Sequence, residues 1–139
     1  MDLAEIQYKK LLNYLPDNTL LLTNLGTIAL QKGRLEDGVR IIGKSLQINS
    51  NQPNALNNRG NALQNLKRLD EALASYDRAI ALKPDYAEAY WNKSRLKILI
   101  GEYLEGWKLY EWRWKKEPHI NSPRAYHQPF WLGDESLIF

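Results

Sequence analysis

Residues 53–86 read PNALNNRGNALQNLKRLDEALASYDRAIALKPDY, and the spacing of their apolar side chains predicts two helices. Pro53 suits a first helical turn, where its missing N–H costs nothing. Leu56, Gly60, Leu63 and Leu66 then fall at helical spacing. The first helix is expected to stop near Lys67. Asp70 and Glu71 favour the start of a second helix through its dipole, and Leu69, Ala72, Leu73, Tyr76, Ala79 and Ile80 make its apolar face. Pro84 ends it, because proline lacks the backbone donor and pushes the preceding residue out of helical conformation. Small residues at Gly60, Ala72 and Ala79 let the helices approach closely, while Leu56, Leu63 and Tyr76 fill the space between them. The stretch predicts an antiparallel helical hairpin.

The hairpin recurs. A shift of 34 residues places Leu22 over Leu56, Asn24 over Asn58, Gly26 over Gly60, Arg34 over Arg68 and Leu35 over Leu69. A further 34 residues bring Tyr90 under the Leu22 slot, Asn92 under the asparagines, Gly101 under Gly33 and Tyr103 under Leu35. Carried backward, the same register matches Ala4 to Ala72, Tyr8 to Tyr76, Leu11 to Ala79 and Pro16 to Pro84. A repeat of this period means stacked supersecondary units with a linear core.

The period, with Leu56, Gly60, Leu63, Ala72, Tyr76, Ala79 and Pro84 in order, resembles the tetratricopeptide repeat. The likeness is close in 53–86 and adequate in 19–52, where Gly38, Ile42, Ser45 and Ser50 replace the usual alanine, aromatic, alanine and proline. It is looser in 87–120, where Ser94, Gly106 and Arg113 stand for the glycine and the two alanines. Residues 1–18 match the second helix of a repeat, and 121–139 read as a capping tail or a linker to a further domain. The resemblance implies an all-α superhelix of three repeats and an N-terminal half repeat, with a proline- and aromatic-rich tail. It also implies that the first helix of each repeat lines a concave face, so function is expected from side chains exposed there.

Asn24, Asn58 and Asn92 recur at the repeat interval, so their amides should project from one stripe of that face. Each amide offers two donors and an acceptor, and a row of them can bind the backbone of an extended peptide with little dependence on its sequence. The arrangement resembles the asparagine ladder of the O-linked N-acetylglucosamine transferase superhelix. Hydrogen bonds to adjacent helix backbone or water are the alternative use of those amides. Asn57 and Asn61 are expected on the same face, with Trp91 and Arg95 supplying selectivity. Trp91 can equally cover the next hairpin. Thr27 and Asn61 stand where Arg95 does in the earlier repeats, which disfavours a carboxylate clamp.

The chain has 139 residues with 5 Trp and 8 Tyr, and the tryptophans crowd its C-terminal third. Tyr103, Trp107, Tyr110 and Trp114 share one face of the last helix, which reads as core to be sealed by the tail with Pro118, Pro123, Pro129, Phe130 and Trp131. The same region resembles the junction between tetratricopeptide repeats and a glycosyltransferase-like domain in bacterial proteins, Gln128, Pro129, Trp131 and Gly133 filling its Gln-Pro-x-Trp-x-Gly entry. No nucleotide-sugar domain lies within these residues, so that resemblance assigns them no transferase activity.

Other classes are disfavoured. The net charge of +3 comes from 19 basic and 16 acidic side chains interspersed along the chain, too little to point to nucleic acid. Trp112, Arg113, Trp114, Lys115 and Lys116 resemble a base-stacking cluster, but Glu111 and Glu117 dilute them. His119 and His127 have no cysteine near them and only scattered acids, so no metal or cofactor is expected. Neither a phosphate loop nor a nucleophile–base set is visible, so no catalysis is expected. The absence of cysteine fits a reducing, cytoplasmic compartment, and the N-terminus lacks the basic start of a signal peptide. No run approaches a membrane span.

Three readings follow. The first is a non-catalytic module that binds a peptide or protein segment in the groove. The second is the acceptor-recognition arm of a glycosyltransferase whose catalytic domain lies elsewhere. The third is self-association through the half repeat, where Leu3, Ile6 and Leu11 are expected to be exposed.

Overall fold

The structure, a computed structural model, describes residues 2–116, with side chains through residue 111. Every regular element among them is a helix: α1 (Leu3–Tyr14), α2 (Thr19–Gln31), α3 (Leu35–Ile48), α4 (Pro53–Asn65), α5 (Leu69–Leu82), α6 (Ala87–Leu99) and α7 (Tyr103–Lys116). Two compact units divide the chain, Met1–Pro84 and Asp85–Phe139. In the first, α2 pairs with α3 and α4 with α5, α3 packs on α4, and α1 lies against α2. The second contains the α6–α7 hairpin. No helix of the described residues is long and apolar enough to cross a membrane.

Local chemistry sets the helix ends. Asp2 accepts from the Glu5 N–H at 3.0 Å and Asn18 from the Leu21 N–H at 3.0 Å, so each caps an otherwise unpaired donor. Pro53 occupies the first turn of α4 as expected. The first helix of each hairpin closes the same way. Arg34, Lys67 and Arg68, and Gly101 and Glu102, turn their N–H groups back onto the last helical carbonyls, with Arg34 N to Ala29 O, Arg68 N to Leu63 O and Glu102 N to Lys97 O all at 2.9 Å. This closure requires a left-handed residue, and Gly33 (φ 76°) and Gly101 (φ 88°) provide it. Lys67 fills the slot in the middle hairpin at φ 62°. A side chain there costs about 1–2 kcal/mol. Lys67→Gly is therefore expected to raise stability by about 1 kcal/mol, read as a higher urea midpoint at unchanged slope.

Each hairpin closes on a small residue. In the middle one, a Cβ on Gly60 would lie 2.5 Å from Tyr76 Cε1, so the glycine is what admits the tyrosine ring, with Ala72 and Ala79 also fully buried beside it. The departures in the last hairpin compensate one another. Ser94 replaces the glycine and its buried hydroxyl donates to Gly106 O at 2.8 Å, while Gly106 replaces the alanine where a Cβ would lie 2.6 Å from Ile98 Cγ1. The smaller residue has moved to the opposite helix.

The first full hairpin handles its own departure with hydrogen bonds. Ser45 is buried where alanine is usual. Its hydroxyl donates to Thr19 O at 3.0 Å and lies 2.9 Å from Thr23 Oγ1. Gln52 completes the network, its Nε2 donating to Asn49 O at 2.7 Å while Oε1 accepts from Thr23 at 2.9 Å. The side chain of Gln52 thus ties the end of α3 and the loop to α2.

The expected aromatic core stripe on α7 is only partly core. Gly106 and Tyr110 face α6, which leaves Tyr103 and Trp107 exposed. The Trp114 side chain and the tail expected to seal the stripe, with Pro118, Pro123, Pro129, Phe130 and Trp131, lie outside the described residues, as do His119, His127 and the junction motif of Gln128, Pro129, Trp131 and Gly133.

Candidate peptide-binding surface

The first helices of the two full hairpins in the first unit, α2 and α4, contact one another. Asn24 and Asn58 hold the same register on them, and both are half-buried, with part of each side chain at the surface. Asn24 Nδ2 donates to Tyr8 Oη on α1 at 3.4 Å, so the first amide of the row meets the half repeat.

The neighbouring asparagines are employed differently. Asn57 is fully buried at 0% exposure, inside the packing around α4. Asn61 accepts from the Tyr76 hydroxyl at 2.6 Å and is committed to the hairpin. In the second unit Asn92 is 7% exposed and counts as buried. Trp91 packs on Tyr110 at a tilt of 48° with centroids 5.1 Å apart, and Trp107 meets Tyr110 edge-on at 5.8 Å. Arg95 is exposed on α6. Of the seven residues singled out in the sequence, Asn24 and Asn58 are the pair that is half-buried in the same register of two contacting first helices.

An ion cluster fixes α1 beside this pair. The Glu5 side chain is buried, and its carboxylate accepts from Lys32 Nζ at 2.8 Å and Arg34 Nη2 at 2.8 Å, with Lys9 Nζ at 3.2 Å. Lys32 also reaches Asp2 at 3.0 Å. Hydrogen bonds from Lys32 and then Arg34 outweigh the effect of burial and bring the Glu5 pKa from its usual 4.5 down to about 2. Bonds to Glu5 and Asp2 raise that of Lys32. The clue in the sequence was a glutamate at a slot that reads Val39 and Leu73 in the next two repeats. On its other faces α1 leaves Leu3, Ile6 and Leu11 exposed, as expected for a half repeat.

A second recess in the first unit escaped the sequence reading. It lies along α3, holds about 560 Å³, and brings Arg40, Lys44, Arg59 and Arg68 around one acid, Glu36. Its signal is again a break in the repeat: the slot of buried Leu25 becomes Arg59 in the next hairpin. Among the described residues no group of three His, Cys, Asp or Glu is placed to hold a metal.

Residues 53–86 match the tetratricopeptide repeat family. The chain carries tetratricopeptide repeats. A crystal structure of MamA superposes with a TM-score of 0.79 at 25% identity, covering 85% of this chain and 76% of that one. The first tetratricopeptide domain of Spaghetti (RPAP3) bound to the HSP90 peptide SRMEEVD gives a TM-score of 0.71 at 22% identity, covering 77% of this chain and 85% of that one. Among curated relatives, the mouse protein O-mannosyl-transferase TMTC1 is 32% identical over 74 residues, which is 50% of this chain and 8% of that protein. The chain spans well under a fifth of the length of the first curated relatives it matches.

Proposed function

We propose that this tetratricopeptide chain is a non-catalytic protein-interaction module that holds an extended peptide segment across α2 and α4, with the Asn24 and Asn58 amides bonding to the peptide backbone. The observation that carries the reading is the placement of two same-register, partly exposed amides on adjacent first helices. A peptide-bound tetratricopeptide domain of the same fold supports the class of ligand. Bonding to backbone N–H and C=O groups gives affinity with broad sequence tolerance.

Each amide-to-backbone hydrogen bond contributes about 0.5–1.5 kcal/mol. The double substitution Asn24→Ala and Asn58→Ala is therefore expected to weaken binding of extended peptides roughly tenfold, with the urea unfolding midpoint little changed. Fluorescence anisotropy with a panel of labelled heptapeptides provides the measurement, and equal affinities for the two proteins remove the amide row from the account.

A second reading, the acceptor-recognition arm of a glycosyltransferase, is favoured by the identity shared with an O-mannosyl-transferase over 74 residues. The coding sequence beyond Phe139 tests it. A transferase domain there supports that role, and an unrelated domain removes it.

A further inference from the structure

The recess along α3 has three properties that belong together. Its size of about 560 Å³ falls within the ~300–1,000 Å³ typical of ligand pockets. Its wall is mixed, with an apolar part formed by residues such as Leu25 and Val39. Around that wall stand Arg40, Lys44, Arg59 and Arg68, against Glu36 alone.

Ion pairs account for part of this charge. Arg68 makes a two-point contact with Glu71 at 2.7 and 2.8 Å and lies 3.8 Å from Glu36. Arg40 reaches Asp37 at 3.5 Å. Lys44 and Arg59 make no ion pair within 4 Å among the described residues, and although Glu71, held by Arg68, also attracts Arg59 at longer range, the recess keeps a net positive charge. Arg59 is the less expected of the two. Its Nε is buried and has no hydrogen-bond partner among the described residues, and a buried polar group left unpaired is costly. The equivalent slot in the preceding repeat holds Leu25, which packs without that cost. An arginine at a position where the fold accepts leucine does nothing for packing that leucine would not do better.

We propose that this recess is a second binding site, distinct from the amide row, that takes an acidic segment of a partner protein: a carboxylate against Lys44 and Arg59, with a neighbouring apolar side chain on the Leu25 and Val39 wall. Charge complementarity selects the acid. A guanidinium offers several donors in one plane and binds a carboxylate in a fork. The volume and the apolar wall select a peptide over a simple inorganic anion, which would leave most of the recess unfilled. The site shares no residue with Asn24 or Asn58, so its failure and that of the amide row are separable.

The test uses the whole chain and a labelled peptide that alternates glutamate and leucine, with inorganic phosphate and an alternating lysine–leucine peptide as comparisons. The glutamate–leucine peptide is expected to bind with an affinity that falls as salt rises, and to shift backbone amide resonances in residues 36–47 and 59–68. Arg59→Leu is expected to weaken that binding at least tenfold while raising Tm, since it restores the residue type of the preceding repeat. Lys44→Gln, at an exposed position, is expected to weaken it severalfold with Tm unchanged. Equal binding by the parent chain and both variants overturns the proposal. So does binding of phosphate as tight as that of the acidic peptide, or resonance shifts confined to α2 and to α4 around Asn58.

Discussion

Replacing Tyr76 with alanine is expected to destabilise the first unit by about 3–5 kcal/mol, the usual range for truncating a buried aromatic side chain. Its ring is fully buried and sits against Gly60, where no Cβ could stand. Alanine would leave a void between α4 and α5 in an interior where Leu56, Leu63, Ala72 and Ala79 are all fully buried and can relax into it only in part. The hydroxyl adds a second loss. It lies 2.6 Å from Asn61 Oδ1 and 3.1 Å from Gln64 Oε1 and has one proton to give, so the truncation costs α4 a single donor. Tyr76→Phe separates the two effects: it keeps the ring and is expected to cost about 1 kcal/mol. Urea titration followed by circular dichroism measures both, and a loss below 1 kcal/mol for the alanine variant would show that the hairpin does not depend on this contact.

The other large effect concerns the attachment of α1. Glu5→Gln removes the charge that Lys32, Arg34 and Lys9 share, and leaves those cations facing one another around a neutral amide. Hydrogen exchange of α1 amides is expected to accelerate by about tenfold or more, with α4 and α5 unchanged, because local opening reports the free energy holding one element. The pH dependence has a definite sign. A carboxyl whose pKa is lower in the folded chain stabilises fully above its unfolded value and loses that contribution as protons bind. For Glu5 the window runs from pH 4.5 down to about 2. Acidification through that range should therefore release α1 in the parent chain and have a smaller effect on α1 in Glu5→Gln. Asp2, whose pKa is also lowered, by the Glu5 N–H and then Lys32, adds to the same acid transition. An α1 whose protection, corrected for the intrinsic pH dependence of amide exchange, is flat from pH 5 to pH 2 would contradict the role given to the cluster.

The hairpins were legible because their determinants are local and repeat. Gly60, Ala72, Tyr76 and Pro84 act within one stretch, and the register of 34 residues then fixes the neighbours. The site was legible less completely. Asn57 and Asn58 are adjacent in sequence, yet a turn of about 100° per residue puts one inside the packing around α4 and the other at its surface. Composition marks both as asparagine and does not separate them. Asn61, half-buried like Asn58, accepts from the Tyr76 hydroxyl, a bond to the opposite helix that its place in the sequence does not reveal. The Glu5 cluster joins residues 27 and 29 positions apart, and the recess around Arg59 draws side chains from α3, α4 and the turn before α5. Both were marked in the sequence only by a charged residue at a slot that is apolar in another repeat.

The amide row is the central claim, and side-chain NMR of Asn24 and Asn58 tests it most directly. With a saturating extended heptapeptide, the side-chain NH2 resonances of both residues are expected to shift together along one binding curve, while those of Asn57 and Asn61 stay in place. Peptide binding that leaves the Asn24 and Asn58 amides unmoved would contradict the account.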